Sequence, residues 1–143
     1  MTRSNNHVTG WDIQKAGEYV FTGFQHAEGK MYFYAVSNYE IENIEHIIDD
    51  VHEVSVVNFM DSKSKKPLEL KIGFSFVSVE NAKMNLEKEM LHKDFGQVCM
   101  EAKEAWEHIL SRINVTGGTE REKGLFYSCL YRSLLFPRKL YEI

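Results

Sequence analysis

The chain has 143 residues, with 17 Lys plus Arg against 21 Asp plus Glu, 43% hydrophobic residues and 13% aromatic ones. This composition excludes a disordered chain, because so much Phe, Tyr and Ile buries enough surface to offset conformational entropy. It also excludes a helix-spanned membrane protein, because charge interrupts each apolar run within about seven residues, far short of the roughly 18 to 20 a bilayer needs.

The N-terminal stretch Met1–His7 is polar, with no basic segment leading into an apolar one, so no secretory signal is visible. Either the protein is cytoplasmic or its true start lies upstream. Trp11, in Thr9-Gly10-Trp11-Asp12, is the one aromatic in a polar, turn-like setting. An exposed indole face there can stack on the apolar face of a sugar ring; packing at a sheet edge is the plainer alternative.

Strands are predicted next. Glu18–Phe24 is aromatic and β-branched, and Glu28-Gly29 turns the chain into Lys30–Ser37, where Met31, Phe33 and Ala35 alternate with Tyr32, Tyr34 and Val36. Ile41–Glu53 is expected as loop or strand edge, its acidic surplus a solvated surface. Val54–Met60 is a third strand, followed by the polar tip 61–66. Pro67 then opens a run in which Leu68, Leu70, Ile72, Phe74 and Phe76 fall at strict period two opposite Glu69, Lys71, Gly73 and Ser75. That spacing predicts a strand whose apolar face is committed to a core.

At Ser78 the period changes from two to 3.6. Ser78 is positioned as an N-cap, and Val79, Ala82, Leu86 and Met90 recur at helical spacing through Leu91. A second helix starts with an Asp94 cap and Gln97 three positions on, then runs to about Ile113. Its expected buried stripe is Val98, Ala102, Ala105, Trp106, Ile109, Leu110 and Ile113, with Trp106 in the core. Gly117-Gly118 turns the chain, and Thr119-Glu120-Arg121-Glu122 forms a capping box that opens a third helix, ended by Pro137. Between Gly124 and Phe136 only Arg132 is charged, and apolar or aromatic side chains point all round the cylinder. Such a helix demands cover on most of its circumference, more than the rest of this chain supplies.

The chemistry of metals and phosphates is thin. Neither half of the chain has a basic stripe: residues 1–78 carry 7 basic and 11 acidic groups and 79–143 carry 10 of each, so nucleic acid is not an expected partner. The histidines at 7, 26, 46, 52, 92 and 108 form no His-x-x-x-His pair, and there is no Cys-x-x-Cys, so zinc spacing is absent. No nucleophile elbow, phosphate loop or dinucleotide fingerprint occurs. Cys99 and Cys129 fall on apolar helix faces and are expected as buried free thiols. Asn114-Val115-Thr116 fits a glycosylation acceptor pattern too short to decide anything. The carboxylates, including Asp49-Asp50, lie in solvated patterns, and no catalytic or metal-ligating residue is assigned.

Ile72–Glu89, Asp94-Phe95, Glu101–Trp106, Leu110–Ile113, Gly117–Glu120 and Phe126–Pro137 nevertheless occur as ordered blocks that resemble the glycoside hydrolase family 92 α-mannosidases over about 70 residues, Ile72 to Glu142. Gly10-Trp11 through Asn38 is similar to the sandwich strands of that family more loosely. The resemblance implies an α+β fold in which antiparallel β-sandwich strands are followed by two connector helices and one buried helix of an (α/α)6 barrel. It implies residues 1–77 as the last strands of the sandwich, 78–118 as the helical connector and 119–143 as the start of a truncated barrel, whose missing helices would cover 119–136. It also implies an inverting, calcium-dependent exo-α-mannosidase acting on mannose-rich glycans, commonly exported to the bacterial periplasm, cell surface or medium. The family's acid, base and metal ligands lie in the barrel, downstream of Ile143, so none is carried over, and this piece alone is expected to be inactive and to bind no calcium. Trp11 is kept as the one candidate substrate contact. The alternative expectation is a free-standing, non-catalytic carbohydrate-binding or interaction domain derived from the same junction.

Overall fold

A computed structural model describes residues 8–27, 29–48, 53–60 and 66–135. Six strands precede three helices: β1 (Gly10–Lys15), β2 (Val20–His26), β3 (Lys30–Ser37), β4 (Ile41–Ile48), β5 (Glu53–Phe59), β6 (Leu70–Ser75), α1 (Val79–Glu89), α2 (Phe95–Leu110) and α3 (Glu120–Leu134). The class is α+β, with every strand pair antiparallel. One sheet has the order β1-β2-β3-β6 and the other is the hairpin β4-β5. The chain divides into two compact units, 1–92 and 93–143.

In the first unit the register decides which residues share a face, because residues directly opposite in an antiparallel pair point the same way. Trp11, Ile13, Phe21, Phe33, Ala35, Ile72 and Phe74 share one face of the larger sheet. The hairpin β4-β5 lies on this face and closes a small core of Phe21, Ala35 and Ile41, with Ile13, Phe33, Ile44, Val57 and Phe59 packed around it. The opposite face takes α1, whose Ala82 and Leu86 are fully covered. The sheet residues beneath that helix are small or polar: Gly73, Ser75 and Thr22 are all buried. Ser75 Oγ is satisfied there by accepting from the amides of Val77 at 2.9 Å and Ser78 at 3.3 Å.

This arrangement corrects the expectation for the run 68–76. Its apolar residues are not committed to a core: Leu70, Ile72 and Phe74 are 43%, 38% and 52% exposed, while Gly73 and Ser75 on the other side are buried. The physical reason is twofold. A helix can settle closely only over a face of small residues, and no β6 side chain belongs to the core that the hairpin closes. The stretch expected as loop or strand edge is mostly strand, β4, bulged between Ile41 and Asn43. Residues 61–65, most of the polar tip, lie outside the described residues.

In the second unit the caps form as their sequences require. Asp94 Oδ1 accepts from the Gln97 amide at 2.8 Å while the Gln97 side chain accepts from the Asp94 amide at 2.9 Å. Thr119 and Glu122 make the same reciprocal pair at the start of α3. Tyr127 on α3 donates its hydroxyl to the Ile113 carbonyl at 3.1 Å, tying the helix to the preceding turn. Gly117 and Gly118 both adopt the left-handed backbone that the turn needs, with φ of 81° and 68°.

Three expectations for this unit are revised. No residue of α2 or α3 is fully buried. Trp106 is half-buried, packed against Tyr131 with ring centroids 4.5 Å apart and planes tilted by 55°, rather than enclosed in a core. Cys99 and Cys129 are free, as expected, but exposed rather than buried. The cause is shared: two amphipathic helices alone offer each other one contact face, so side chains elsewhere on either cylinder stay in water. The apolar circumference of α3 is accordingly uncovered, with Leu125 66% and Leu134 38% exposed. Phe136 and Pro137 lie outside the described residues.

Candidate functional site

Trp11 sits not in a turn but within β1, opposite Gln25 of β2. Its indole is half-buried, and its ring faces that of His46 on β4 with centroids 5.4 Å apart and planes tilted by 45°. His46 Nδ1 in turn lies 3.0 Å from Ser55 Oγ on β5. One aromatic platform on the larger sheet and a His-Ser hydrogen bond on the hairpin are thus brought together across the space between the sheets.

That space is a cleft of about 490 Å³, open to solvent. Trp11, Ile13 and Phe33 supply apolar walls, and Asp12, Gln25 and Ser55 supply polar groups at its margin. The register explains the mixture: Trp11, Ile13, Gln25 and Phe33 project from one face of the sheet, whereas the side chain of Asp12 alternates to the other. An apolar ring platform with an amide and a hydroxyl nearby matches the two sides of a pyranose, one face of C–H groups and a rim of hydroxyls.

The sequence singled out Trp11 but missed His46 and Ser55. The missed signal was the alternation of Ile44, His46 and Ile48 in a stretch assigned as loop; once β4 is a strand, those positions share one side of it. Two of the other described histidines are engaged elsewhere: His26 Nδ1 pairs with Thr9 Oγ1 at 2.9 Å, and His108 lies 3.5 Å from an Arg112 guanidinium nitrogen on α2. Asp49, Asp50, His7 and His52 lie outside the described residues.

Calcium requires several converging oxygen ligands, and no group of three or more Asp, Glu, His or Cys side chains converges among the described residues. The nearest approach, Asn43, Glu45 and Asn58 on the hairpin, is already satisfied internally, because the Asn58 amide donates to Asn43 Oδ1 at 2.7 Å and to Glu45 Oε1 at 2.9 Å. The glutamates of α2 point into water, Lys103 pairing with Glu107 at 3.7 Å and Lys93 with Glu101 at 2.6 Å. Among the described residues no helix is long and apolar enough to cross a membrane.

Comparison with known proteins bears on the whole chain. Residues 81–143 match the model of the glycosyl hydrolase family 92 catalytic domain. The structure of a family 92 inverting mannosidase from Bacteroides thetaiotaomicron superposes with a TM-score of 0.80 at 26% identity, covering 96% of this chain and 21% of that one. A second family 92 α-mannosidase from the same organism superposes at 0.78 with 19% identity over 92% of this chain and 20% of that one, and supports the fold. No curated protein matches significantly. The helices match the family 92 catalytic-domain model and the fold as a whole is similar to that of solved family 92 mannosidases, of which the chain spans about one fifth.

Proposed function

We propose that the protein serves the removal of α-linked mannose from the non-reducing end of mannose-rich glycans, with inversion and with the help of calcium, and that residues 1–143 by themselves carry no turnover. The observation that carries this reading is the family match over 81–143, joined to a structural match that spans nearly all of the chain and belongs to an inverting mannosidase. Inversion needs one carboxylic acid to protonate the leaving oxygen and a second carboxylate, about 6.5 to 9.5 Å away, to activate water from the opposite side of the ring. No functional pair of that kind is assigned to this chain. The physical contribution proposed for residues 1–77 is that of sandwich strands, for 78–118 a connector, and for 119–143 the opening of an (α/α)6 barrel whose helices cover α3.

Trp11 is the proposed sugar contact, its indole stacking on the apolar face of a mannosyl ring at the cleft mouth. The second reading, carbohydrate binding without catalysis, is favoured by the same cleft, which combines an aromatic platform with a polar rim. One experiment tests both. The purified chain is incubated with an α-1,2-mannobiose, and in parallel titrated with it calorimetrically. The expected result is heat of binding that the Trp11→Ala variant weakens by about tenfold, equivalent to about 1.4 kcal/mol, with no mannose released. Mannose release abolished by a chelator would overturn the claim that catalysis is not built from these residues. Binding unchanged in Trp11→Ala would remove Trp11 from the site.

A further inference from the structure

We propose that Tyr127 locks the turn between α2 and α3 into a fixed elbow, so that residues 113–119, despite two adjacent glycines, act as a rigid joint and not as a hinge. Gly117-Gly118 is the kind of pair that loosens a chain, because glycine restricts its own backbone least. Here both residues take the left-handed conformation, with φ of 81° and 68°, which other residues rarely adopt. The shape of the turn is therefore enough to explain them, without any call for mobility.

The chain on either side of the glycines is held. Upstream, the amides of Ser111, Arg112 and Ile113 donate to the carbonyls of Glu107, Ile109 and Leu110 at 2.9, 3.3 and 3.4 Å, so the winding of α2 carries on to Ile113. Downstream, the Thr119–Glu122 box fixes the first turn of α3, and a β-carbon on Gly118 would lie only 3.2 Å from Glu122 Oε2. Tyr127 joins the two sides. Its hydroxyl donates to the Ile113 carbonyl at 3.1 Å and accepts, at 3.4 Å, from the Val115 amide inside the turn.

A single contact would leave the helices free to swing about it. The second contact is Trp106 against Tyr131, with ring centroids 4.5 Å apart. Trp106 and Ile113 are seven positions apart, two helical turns along one side; Tyr127 and Tyr131 are four apart and neighbours on one side of α3. Ile113 meets Tyr127 and Trp106 meets Tyr131, so the two helices run antiparallel as an αα-hairpin. Two separated contacts and the covalent turn together fix the angle between the axes. Lys123, Tyr127 and Leu130, half-buried at i, i+4 and i+7, mark the same side of α3. All of these contacts join residues between 106 and 131, so they do not depend on what else packs against either helix. What the joint does for the enzyme, setting the direction in which a barrel starts, rests on the proposed reading of 78–118 as connector and 119–143 as the barrel's opening.

The two cysteines of the chain, Cys99 on α2 and Cys129 on α3, are exposed and serve as spin-label sites. Pulsed electron–electron double resonance on the labelled 143-residue chain, diluted with unlabelled chain, should give one narrow distance distribution. Tyr127→Phe, which removes one oxygen and keeps the ring, should broaden it. Hydrogen exchange followed by NMR should find the Val115 amide protected in the parent and exchanging at least about fivefold faster in Tyr127→Phe, the factor that goes with losing about one hydrogen bond. Ser128→Ala removes a hydroxyl bonded to the Gly124 carbonyl within α3 and should change neither readout. Far-UV circular dichroism checks that both variants keep their helices. A broad distribution or an unprotected Val115 amide in the parent, no change in Tyr127→Phe, or equal broadening in Ser128→Ala would overturn the proposal. Loss of helix in Tyr127→Phe would overturn it too, since the hydroxyl would then hold the helices themselves and not the joint between them. None of these readouts involves mannose, so failure of the elbow is distinct from failure of the mannosidase reading, which the mannobiose experiment tests.

Discussion

Gly73 of β6 lies so close beneath α1 that a β-carbon there would meet Leu86 Cβ at 2.7 Å and the Leu86 amide nitrogen at 3.1 Å, besides colliding with the Ala82 carbonyl oxygen. The glycine is needed for this close approach rather than for an unusual backbone angle. It lets Ala82 and Leu86, both essentially inaccessible, seal one face of the sheet. Gly73→Val should therefore push helix from strand and destabilise the first unit by about 1–3 kcal/mol, the usual range for overpacking. Urea denaturation of the variant against the parent measures it, and an unchanged midpoint would show that α1 does not depend on this approach.

The Trp11–His46 ring contact bridges the two sheets. Aromatic pairs contribute about 0.5–1.5 kcal/mol beyond their burial. Trp11→Ala and His46→Ala should each lower stability, and the double variant should lose less than the sum of the two. Additive losses in this double-mutant cycle would mean that the rings do not couple.

Helix α3 begins with a box whose acid half is pH-sensitive. The Thr119 amide first, and the Thr119 hydroxyl second, hold the Glu122 carboxyl below its usual range. A depressed folded pKa means stabilisation that is present above the unfolded value, about 4.3 for Glu, and is lost as pH falls through the lower folded value. Acid titration of the full chain by circular dichroism should show a loss of helix that Glu122→Gln flattens. Thr119→Ala should cost about 1 kcal/mol at neutral pH.

Both cysteines should be accessible. Cys99 and Cys129 are exposed free thiols on α2 and α3, so a thiol reagent added to the native chain should titrate two groups without denaturant. Protection of either until unfolding would restore the buried assignment that the sequence alone suggested.

Leu125, Phe126, Tyr131 and Leu134 leave α3 with an apolar surface open to solvent. Contiguous surfaces of this kind bind hydrophobic dyes. Fluorescence of such a dye should rise with the chain and fall in a Leu125→Lys variant; no response from the parent chain would show that this face is covered.

Local rules carried far in this sequence because they act over a few residues. Ser78, the Asp94–Gln97 pair and the Thr119–Glu122 pair cap helices where their spacing says they should, since a cap needs only the next turn of backbone. Lys30–Ser37 is a strand with the bounds its alternation implies. The ordered blocks from Ile72 onward carried the resemblance to family 92 that the match over 81–143 and the structural likeness support. Where the outcome turned on partners distant in sequence, local pattern failed. The alternation at 68–76 correctly announced a strand but assigned the wrong side to the interior, because α1 selected Gly73 and Ser75 over Ile72 and Phe74 by how closely it could approach. His46 became a neighbour of Trp11 only when the hairpin folded over β1, a contact between residues 35 positions apart in the sequence. The sequence by itself determined the three helices with their caps, most of the strands and the resemblance to family 92. Tertiary structure decided which faces are buried and which side chains share the cleft, because burial is a property of what lies opposite, and periodicity records only that a residue has a side.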